Sequence, residues 1–300
     1  MANGEIFISL NSSPNTALSR YFYYMVKGEI IRIKIRGFGS NGKHLVLASS
    51  RPNIVSLEQN SKLNQLEQTV KIRGLSLGIA TIHSYDGRSS SGLYLPVCNP
   101  GTSGIYKNCF PTLTVNVLSE IKKPVDLNAD EMALFMVLMA ETQKPALRKN
   151  DYNENETFKA MSYMRQVLFN RLSFSHPYLL GVPKNNKTLI GLIRSGGVIE
   201  GFEHYPSLNT RVEKNINDFI KSANTSQDKY FLANRRLINH AVDIARGKNI
   251  TALTEKNVYS WRTKGSGSPG QNFKKLFSMA GQDFYGLQQS FINDPLGKKK

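Results

Sequence analysis

The hydrophobic period of this chain changes once, and that change limits what the chain can fold into. Before residue 119 the apolar residues recur at every second position. In Glu29–Arg36 (EIIRIKIR), Ile31, Ile33 and Ile35 alternate with Arg32, Lys34 and Arg36, the pattern of a strand with one apolar face. Lys43–Ala48, Asn53–Leu57, Gln68–Arg73, Gly78–Ser84, Gly92–Val97 and Leu113–Val117 read as further short strands with turn residues between them. Strands spaced about ten residues apart in this way predict a β-sandwich. Residues 119–125 (SEIKKPV) read as a linker. Beyond them the period is 3.6. Thr157–Leu172 carries Phe158, Met161, Met164, Leu168, Phe169 and Leu172 on one stripe, and Leu189–Ile193 reads as a short helix. Arg211–Ser222 carries Val212, Ile216, Phe219 and Ile220. Asp228–Arg246 ends before Gly247, where a helix C-cap belongs. Residues 257–272 read as a Gly/Ser loop, and Asn272–Met279 as a last short helix. The expectation is an α+β chain of two domains: a β-sandwich over 1–119 and a mainly α-helical domain over 120–300.

The helical half opens on Asp126–Thr142, DLNADEMALFMVLMAET. Asn128 with Glu131 three residues on has capping-box spacing, and Asp130 and Glu131 suit the positive end of the helix dipole. Met132 to Ala140 contains no polar residue. A helix apolar on all sides is a buried helix, and this run is too short to span a membrane. Glu141 follows directly, and Pro145 limits further helix. A carboxyl delivered to a cleft floor by a buried helix loses solvation, which raises its pKa and suits it to donate a proton. The same position also suits the first exposed residue after a core helix, and the helix alone does not choose between the two.

The 300 residues carry a net charge of +17. The excess is spread, with 12 basic against 5 acidic residues before position 120 and 27 against 17 from there on. Such a field favours an anionic polymer: nucleic acid, an acidic membrane surface or bacterial wall. An interleaved basic and aromatic patch is lacking, as is any nucleic-acid module, so no nucleic-acid partner is expected. The start, MANGEIFISLNSS, lacks the basic and apolar regions of a signal peptide. No apolar run reaches transmembrane length, so no transmembrane segment is expected. Cys98 and Cys109 are the two cysteines. In an oxidising compartment they would close the loop PVCNPGTSGIYKNCFP; in a reducing one they remain thiols.

Several chemistries find no support. His44, His83, His176, His204 and His240 are scattered without metal-ligand spacing, so neither metal nor cofactor is expected. No phosphate-binding glycine loop and no nucleophile elbow occurs. The unusual polar groups lie in the helical half: Asn170 and Arg171 at a helix end, Glu200, Phe202, Glu203, His204 and Tyr205 after a Gly–Gly break, and Asp283, Phe284 and Tyr285 near the end. Aromatic rings and carboxylates on loops beside a core helix suit a sugar cleft, and they also suit ordinary loop decoration.

Two resemblances follow from these residues. KGEIIRIKI, LVLASSRPNIVSL, TVKIRGLSLGIATIHSYDG and LTVNVL, in that order over residues 20–118, resemble a bacterial immunoglobulin-like domain of the intimin/invasin type. That implies a spacer, adhesive or targeting module. LMAET, AMSYMRQVLFNRL, GVIEGFEHYPSL, NHAVDIARGKN and AGQDFYGL, over residues 127–287, resemble the SleB-like cell-wall hydrolases (spore-cortex-lytic enzymes), which have a lysozyme-like fold. This second resemblance implies Glu141 as general acid, Asn170 and Arg171 shaping the site near it, and Phe202, Glu203 and Tyr285 lining a glycan groove. The chain departs from the family over 142–156, which is longer and more charged, and at Trp261 and Arg262.

The implied reaction is cleavage of peptidoglycan between N-acetylmuramic acid and N-acetylglucosamine by a single carboxyl, that of a lytic transglycosylase. The alternative is a two-carboxylate muramidase, with Glu203, Glu200 or Asp283 as the second group. A basic nucleic-acid-binding protein and an adhesin are more distant readings. A wall-cutting enzyme without a signal peptide implies an antibacterial effector carried into a rival's periplasm by a type VI secretion apparatus and matched by an immunity protein, or else a phage lysin. The Cys98–Cys109 bond would then form at the destination.

Overall fold

The computed structural model describes residues 5–18, 20–37, 44–60, 67–84, 92–93, 95–98, 105–107, 109–146 and 152–297. The expected strand start at Lys43, most of the loop between the cysteines, part of segment 142–156 and the Lys298–Lys300 tail fall outside them. The architecture is α+β, and the chain divides into two compact units, Met1–Glu120 and Ile121–Lys300.

The first unit is all β. Its strands are β1 (Glu5–Leu10), β2 (Phe22–Val26), β3 (Ile30–Arg36), β4 (His44–Leu45), β5 (Leu47–Ser49), β6 (Val55–Asn60), β7 (Glu67–Gly74), β8 (Gly78–Ser84), β9 (Gly92–Leu93), β10 (Val97–Cys98), β11 (Ile105–Lys107), β12 (Phe110–Pro111) and β13 (Leu113–Leu118). One sheet has the order β11-β1-β3-β7-β6, and a second the order β2-β13-β8-β5. Within these two sheets all neighbours are antiparallel except β13 and β2, which run parallel. Alternation decides which side chains go inward. Ile31, Ile33 and Ile35 of β3 meet Tyr23, Met25, Ala80, Ile82, Val115 and Val117 of the other sheet in one core. The intervening charges stay outside, where Lys34 pairs with Glu67 and Lys71 with Glu58. Gln68 is buried because its amide replaces a strand partner: Nε2 donates to the Leu45 carbonyl at 2.9 Å and Oε1 accepts from the Leu45 N–H at 3.1 Å. Cys98 and Cys109 form a disulfide with Cα atoms 5.4 Å apart.

The second unit contains α1 (Ala129–Glu141), α2 (Glu154–Ser173), a 3-10 turn (Pro177–Leu180), α3 (Leu189–Arg194), α4 (Thr210–Ser222), α5 (Phe231–Ala245), β14 (Ser260–Thr263), β15 (Phe273–Met279), β16 (Gln282–Leu287) and α6 (Gln289–Asn293). Helix α1 starts on a complete capping box. Asn128 accepts from the Glu131 N–H at 2.9 Å, and Glu131 accepts from the Asn128 N–H at 3.0 Å, worth about 1 kcal/mol. Every residue from Ala133 to Met139 is buried. Large apolar side chains each contribute about 1.5–3 kcal/mol on burial, so core packing fixes this helix far more than its cap does. Among the described residues no helix is long and apolar enough to cross a membrane.

The C-terminal part differs from expectation. Where the sequence predicts a Gly/Ser loop and a short helix, a three-stranded antiparallel sheet stands, in the order β14-β16-β15. The register of β15 slips between Lys275 and Phe277. That bulge puts Phe273, Leu276, Phe277 and Met279 at a spacing that imitates a helix, because one extra residue breaks the period of two. Strand β16 is buried along its whole length, so its apolar residues do not alternate. Phe284 and Phe277 stack with centroids 5.1 Å apart, and Tyr163 of α2 packs on both.

Candidate active site

Glu141 is the last residue of α1, and the sheet holds it from two strands. Trp261 of β14 donates its indole Nε1–H to Glu141 Oε2 at 3.1 Å. Gln282 of β16 donates its side-chain amide to the Glu141 backbone carbonyl at 3.0 Å. The pKa of Glu141 is raised: burial is the largest cause, the Trp261 hydrogen bond pulls against it, and the negative charge of Glu200 adds to the rise. A carboxyl so placed holds a proton further toward neutral pH than an exposed glutamate does.

The cleft in front of Glu141 has a volume of about 630 Å³, and its lining includes Arg171, Glu200, Glu203, Trp261, Arg262 and Phe273. A smaller recess of about 180 Å³ lies between α1 and α4, and Glu141 and Glu200 border both spaces. Gly181 and Val198 form part of one wall. Gly181 has φ +87°, and a Cβ there would come within 2.8 Å of a Val198 methyl, so this wall depends on glycine. Ser266 and Pro269 belong to another lining segment. That segment is pinned from β16: the Gly265 N–H donates to Asp283 at 2.9 Å and the Tyr285 hydroxyl donates to the Gly267 carbonyl at 2.9 Å.

The predicted site residues fall into three groups. Glu141, Arg171 and Glu203 share the cleft. Glu203 is exposed; its carboxylate accepts from the Gly201 N–H at 3.2 Å, and backbone donors hold its pKa below the usual range. Asn170 stands behind the cleft, donating to the carbonyls of Lys256 and Val258, both at 2.8 Å. With Arg171 it latches the backbone leading into β14, which carries Trp261. Phe202 and Tyr285 are not among the residues that line the cleft. Phe202 is fully buried and stacks on Tyr205 with centroids 6.2 Å apart, because the apolar core behind the loop takes the ring that solvent would otherwise meet. Tyr285 is 4% exposed and faces the lining segment through its hydroxyl, not the open cleft.

Of the possible second carboxylates, Asp283 is enclosed by the Gly265 N–H, the Lys275 ammonium and the Ser278 hydroxyl, which hold its pKa down to about 2. Glu200 is exposed and paired with Arg211 at 2.5 Å. Sequence reasoning missed Trp261, Gln282 and Arg262 as site residues. The lone tryptophan in a Gly/Ser-rich stretch was the signal, since a large ring there needs a surface to cover. Among the described residues no group of three or more His, Cys, Asp or Glu side chains is gathered as a metal site would require.

Comparison with known proteins adds little to this geometry. No family model and no curated protein matches the chain. Among solved structures it is similar to the S-layer protein rSbsC(31-844), at 18% identity over 39% of this chain and 14% of that one, with a TM-score of 0.24. It is also similar to domains 4 and 5 of the S-layer protein SbsC, at 19% identity over 37% of this chain and 46% of that one, with a TM-score of 0.23. The chain thus spans less than half the length of the S-layer proteins it matches.

Proposed function

We propose that this protein cleaves the glycan strand of peptidoglycan between N-acetylmuramic acid and N-acetylglucosamine, as a lytic transglycosylase with Glu141 as its single acid and base. The observation that carries the reading is the state of Glu141: its pKa is raised by burial, it is oriented by Trp261, and it borders both the cleft and the adjoining recess. A long polymer laid across both spaces would pass over this one carboxyl. Protonated Glu141 gives its proton to the glycosidic oxygen as the bond to the anomeric carbon breaks. The carboxylate then takes the proton of the muramic 6-hydroxyl while that oxygen bonds to the anomeric carbon, leaving a 1,6-anhydro ring. Trp261 and Phe273 supply the aromatic surface on which sugar rings stack.

In this reading residues 121–300 form a lysozyme-like, SleB-like domain. The two-sheet unit before it is an immunoglobulin-like module of the intimin/invasin type that targets or spaces the enzyme. The whole is an antibacterial effector acting in a rival's periplasm, delivered by a type VI apparatus and countered by an immunity protein. Forced export to the periplasm is expected to lyse cells while cytoplasmic expression does not; equal toxicity in both places argues against a wall target.

A second reading, hydrolysis by two carboxylates, draws on the field that Glu200 exerts at Glu141. Mass spectrometry of muropeptides released from purified sacculi separates the two. Transglycosylation leaves 1,6-anhydro ends, whereas hydrolysis leaves reducing ends one water heavier. Glu141→Gln is expected to lower the rate by about 10²–10⁴, the usual worth of a general acid, and Glu203→Gln to leave measurable turnover. Full activity in Glu141→Gln would end both readings.

A further inference from the structure

Among the described residues Arg171 is a cation with no anion beside it. Its guanidinium is fixed by two neutral acceptors: Nε–H donates to the Tyr259 carbonyl at 2.6 Å and Nη1–H to the Leu180 carbonyl at 3.2 Å. Burial lowers its pKa to about 10, so it remains charged at neutral pH. Holding a charge away from water with no opposite charge beside it is costly. The two carbonyl bonds orient the group and leave the charge uncompensated.

Each carboxylate lining the cleft is otherwise engaged. Glu200 pairs with Arg211, and Glu203 accepts from the Gly201 N–H. Glu141 takes its hydrogen bond from Trp261, and Arg171 is not among the groups that act on it. The third guanidinium nitrogen, Nη2, has no hydrogen-bond partner among the described residues. Nor is it one of the sealed, unsatisfied polar atoms, so it keeps a path outward, and the side chain borders the cleft. A planar donor set, pre-oriented at one edge and open at the other, matches a carboxylate.

We propose that Arg171 is the anion-recognising residue of the cleft and selects glycan strands that present a carboxylate beside the bond being cut. The proposal rests on the peptidoglycan reading above. Carboxylates from two parts of that polymer have this chemistry. One is the lactyl carboxylate of the muramic residue, free once the stem peptide is removed; the others lie along the stem peptide itself.

The test uses the full chain carrying Glu141→Gln, so that bound glycan is not consumed, and titration calorimetry with three soluble probes. These are peptide-stripped glycan fragments, the same fragments with the lactyl carboxyls capped as methylamides, and peptide-bearing fragments. A carboxylate source is expected to give at least about tenfold tighter binding than the capped probe, as a charge-assisted hydrogen bond implies. Tight binding of the stripped probe identifies the lactyl group, and tight binding of the peptide-bearing probe identifies the stem. Equal binding of all three overturns the role of Arg171 and leaves the glycan reading standing. No binding of any probe by folded protein overturns both. Adding Arg171→Gln is expected to abolish the preference and Arg171→Lys to keep part of it; a preference that survives Arg171→Gln also overturns the assignment. If Arg171→Gln fails to fold, Arg171→Lys decides in its place: a preference as large as the parent's overturns the assignment, since Arg262 of the same cleft would then carry it.

Discussion

Trp261 and Glu141 stand 120 residues apart in the chain and meet through one hydrogen bond, indole Nε1–H to carboxyl Oε2 at 3.1 Å. Two opposed influences act on the carboxyl through this arrangement. Burial at the end of α1 favours the protonated acid, while the indole N–H favours the carboxylate. The acid is therefore tuned by a helix and a strand together, and the sheet that carries Trp261 is part of the site.

Replacing Trp261 by Phe removes the donor and keeps an aromatic ring. The remaining influences raise the pKa of Glu141 further. In the proposed reaction Glu141 acts protonated and activity falls as pH rises through its pKa, so the alkaline limb of the pH–rate profile is expected to move to higher pH in Trp261→Phe. Turnover of purified sacculi across pH reads this directly, and a limb that moves to lower pH would show that the indole does not stabilise the carboxylate.

Glu141 also links stability to pH. Its folded pKa lies above the ordinary value of 4.5, so between the two values the native state binds more protons than the unfolded state. Stability then falls as pH rises through that interval. Glu141→Gln cannot ionise and still accepts from Trp261. It is expected to melt at a higher temperature than the parent at pH 7, with the difference disappearing below about pH 4.5. A variant that melts lower at pH 7 would contradict a desolvated acid.

How much of this was legible in the sequence depends on the range of the physics involved. The capping box of Asn128 and Glu131 and the burial of Ala133–Met139 are local, and local spacing exposes them. The inward isoleucines of β3 are equally plain, because one-sided burial imposes a period of two. Strands β1 and β2 carry no such signal: Glu5–Leu10 and Phe22–Val26 lack a clean alternation of apolar and charged residues. Strands β15 and β16 were hidden by a bulge in one and two-sided burial in the other. Phe202 and Glu203 are adjacent in one loop, yet one ring is in the core and one carboxylate is in water. Only the packing of the surrounding helices decides that, and so does the meeting of Trp261 with Glu141.

The disulfide offers a separate test of the first unit. It joins Cys98 of β10 to Cys109, the residue before β12, and the two strands pair in parallel through Val97 with Phe110 and Cys98 with Pro111. Closing a loop of this length is worth about 3 kcal/mol, mainly by restricting the unfolded chain. Reductant, or replacement of both Cys98 and Cys109 by Ser, is expected to lower the unfolding transition of residues 1–120 and leave that of residues 121–300 unchanged. Calorimetry with and without reductant checks it; a lowered second transition would show that the bond serves more than its own unit.

At Asp283 stability and substrate binding separate. Its carboxylate accepts from the Gly265 N–H at 2.9 Å, from the Ser278 hydroxyl at 2.6 Å and from the Lys275 ammonium at 2.7 Å. These donors hold its pKa at about 2, below the ordinary 3.8. A depressed carboxyl stabilises the native state above its unfolded pKa, and that contribution is lost as pH falls through the folded value. Asp283→Asn is therefore expected to melt below the parent at pH 7. The gap should close between about pH 4 and about pH 2, as the parent takes up the proton that the variant never needed. The same substitution weakens one of two pins on the segment that carries Ser266 and Pro269 to the cleft, because a neutral amide accepts from Gly265 less strongly than a carboxylate, while the Tyr285–Gly267 bond and the Trp261–Glu141 pair remain. A loosened wall weakens binding before it touches the acid, so KM is expected to rise by about tenfold or less, with kcat nearly unchanged. A large fall in kcat with KM constant would mean that Asp283 acts on the chemistry at Glu141, and that the cleft wall and the acid are one mechanical unit.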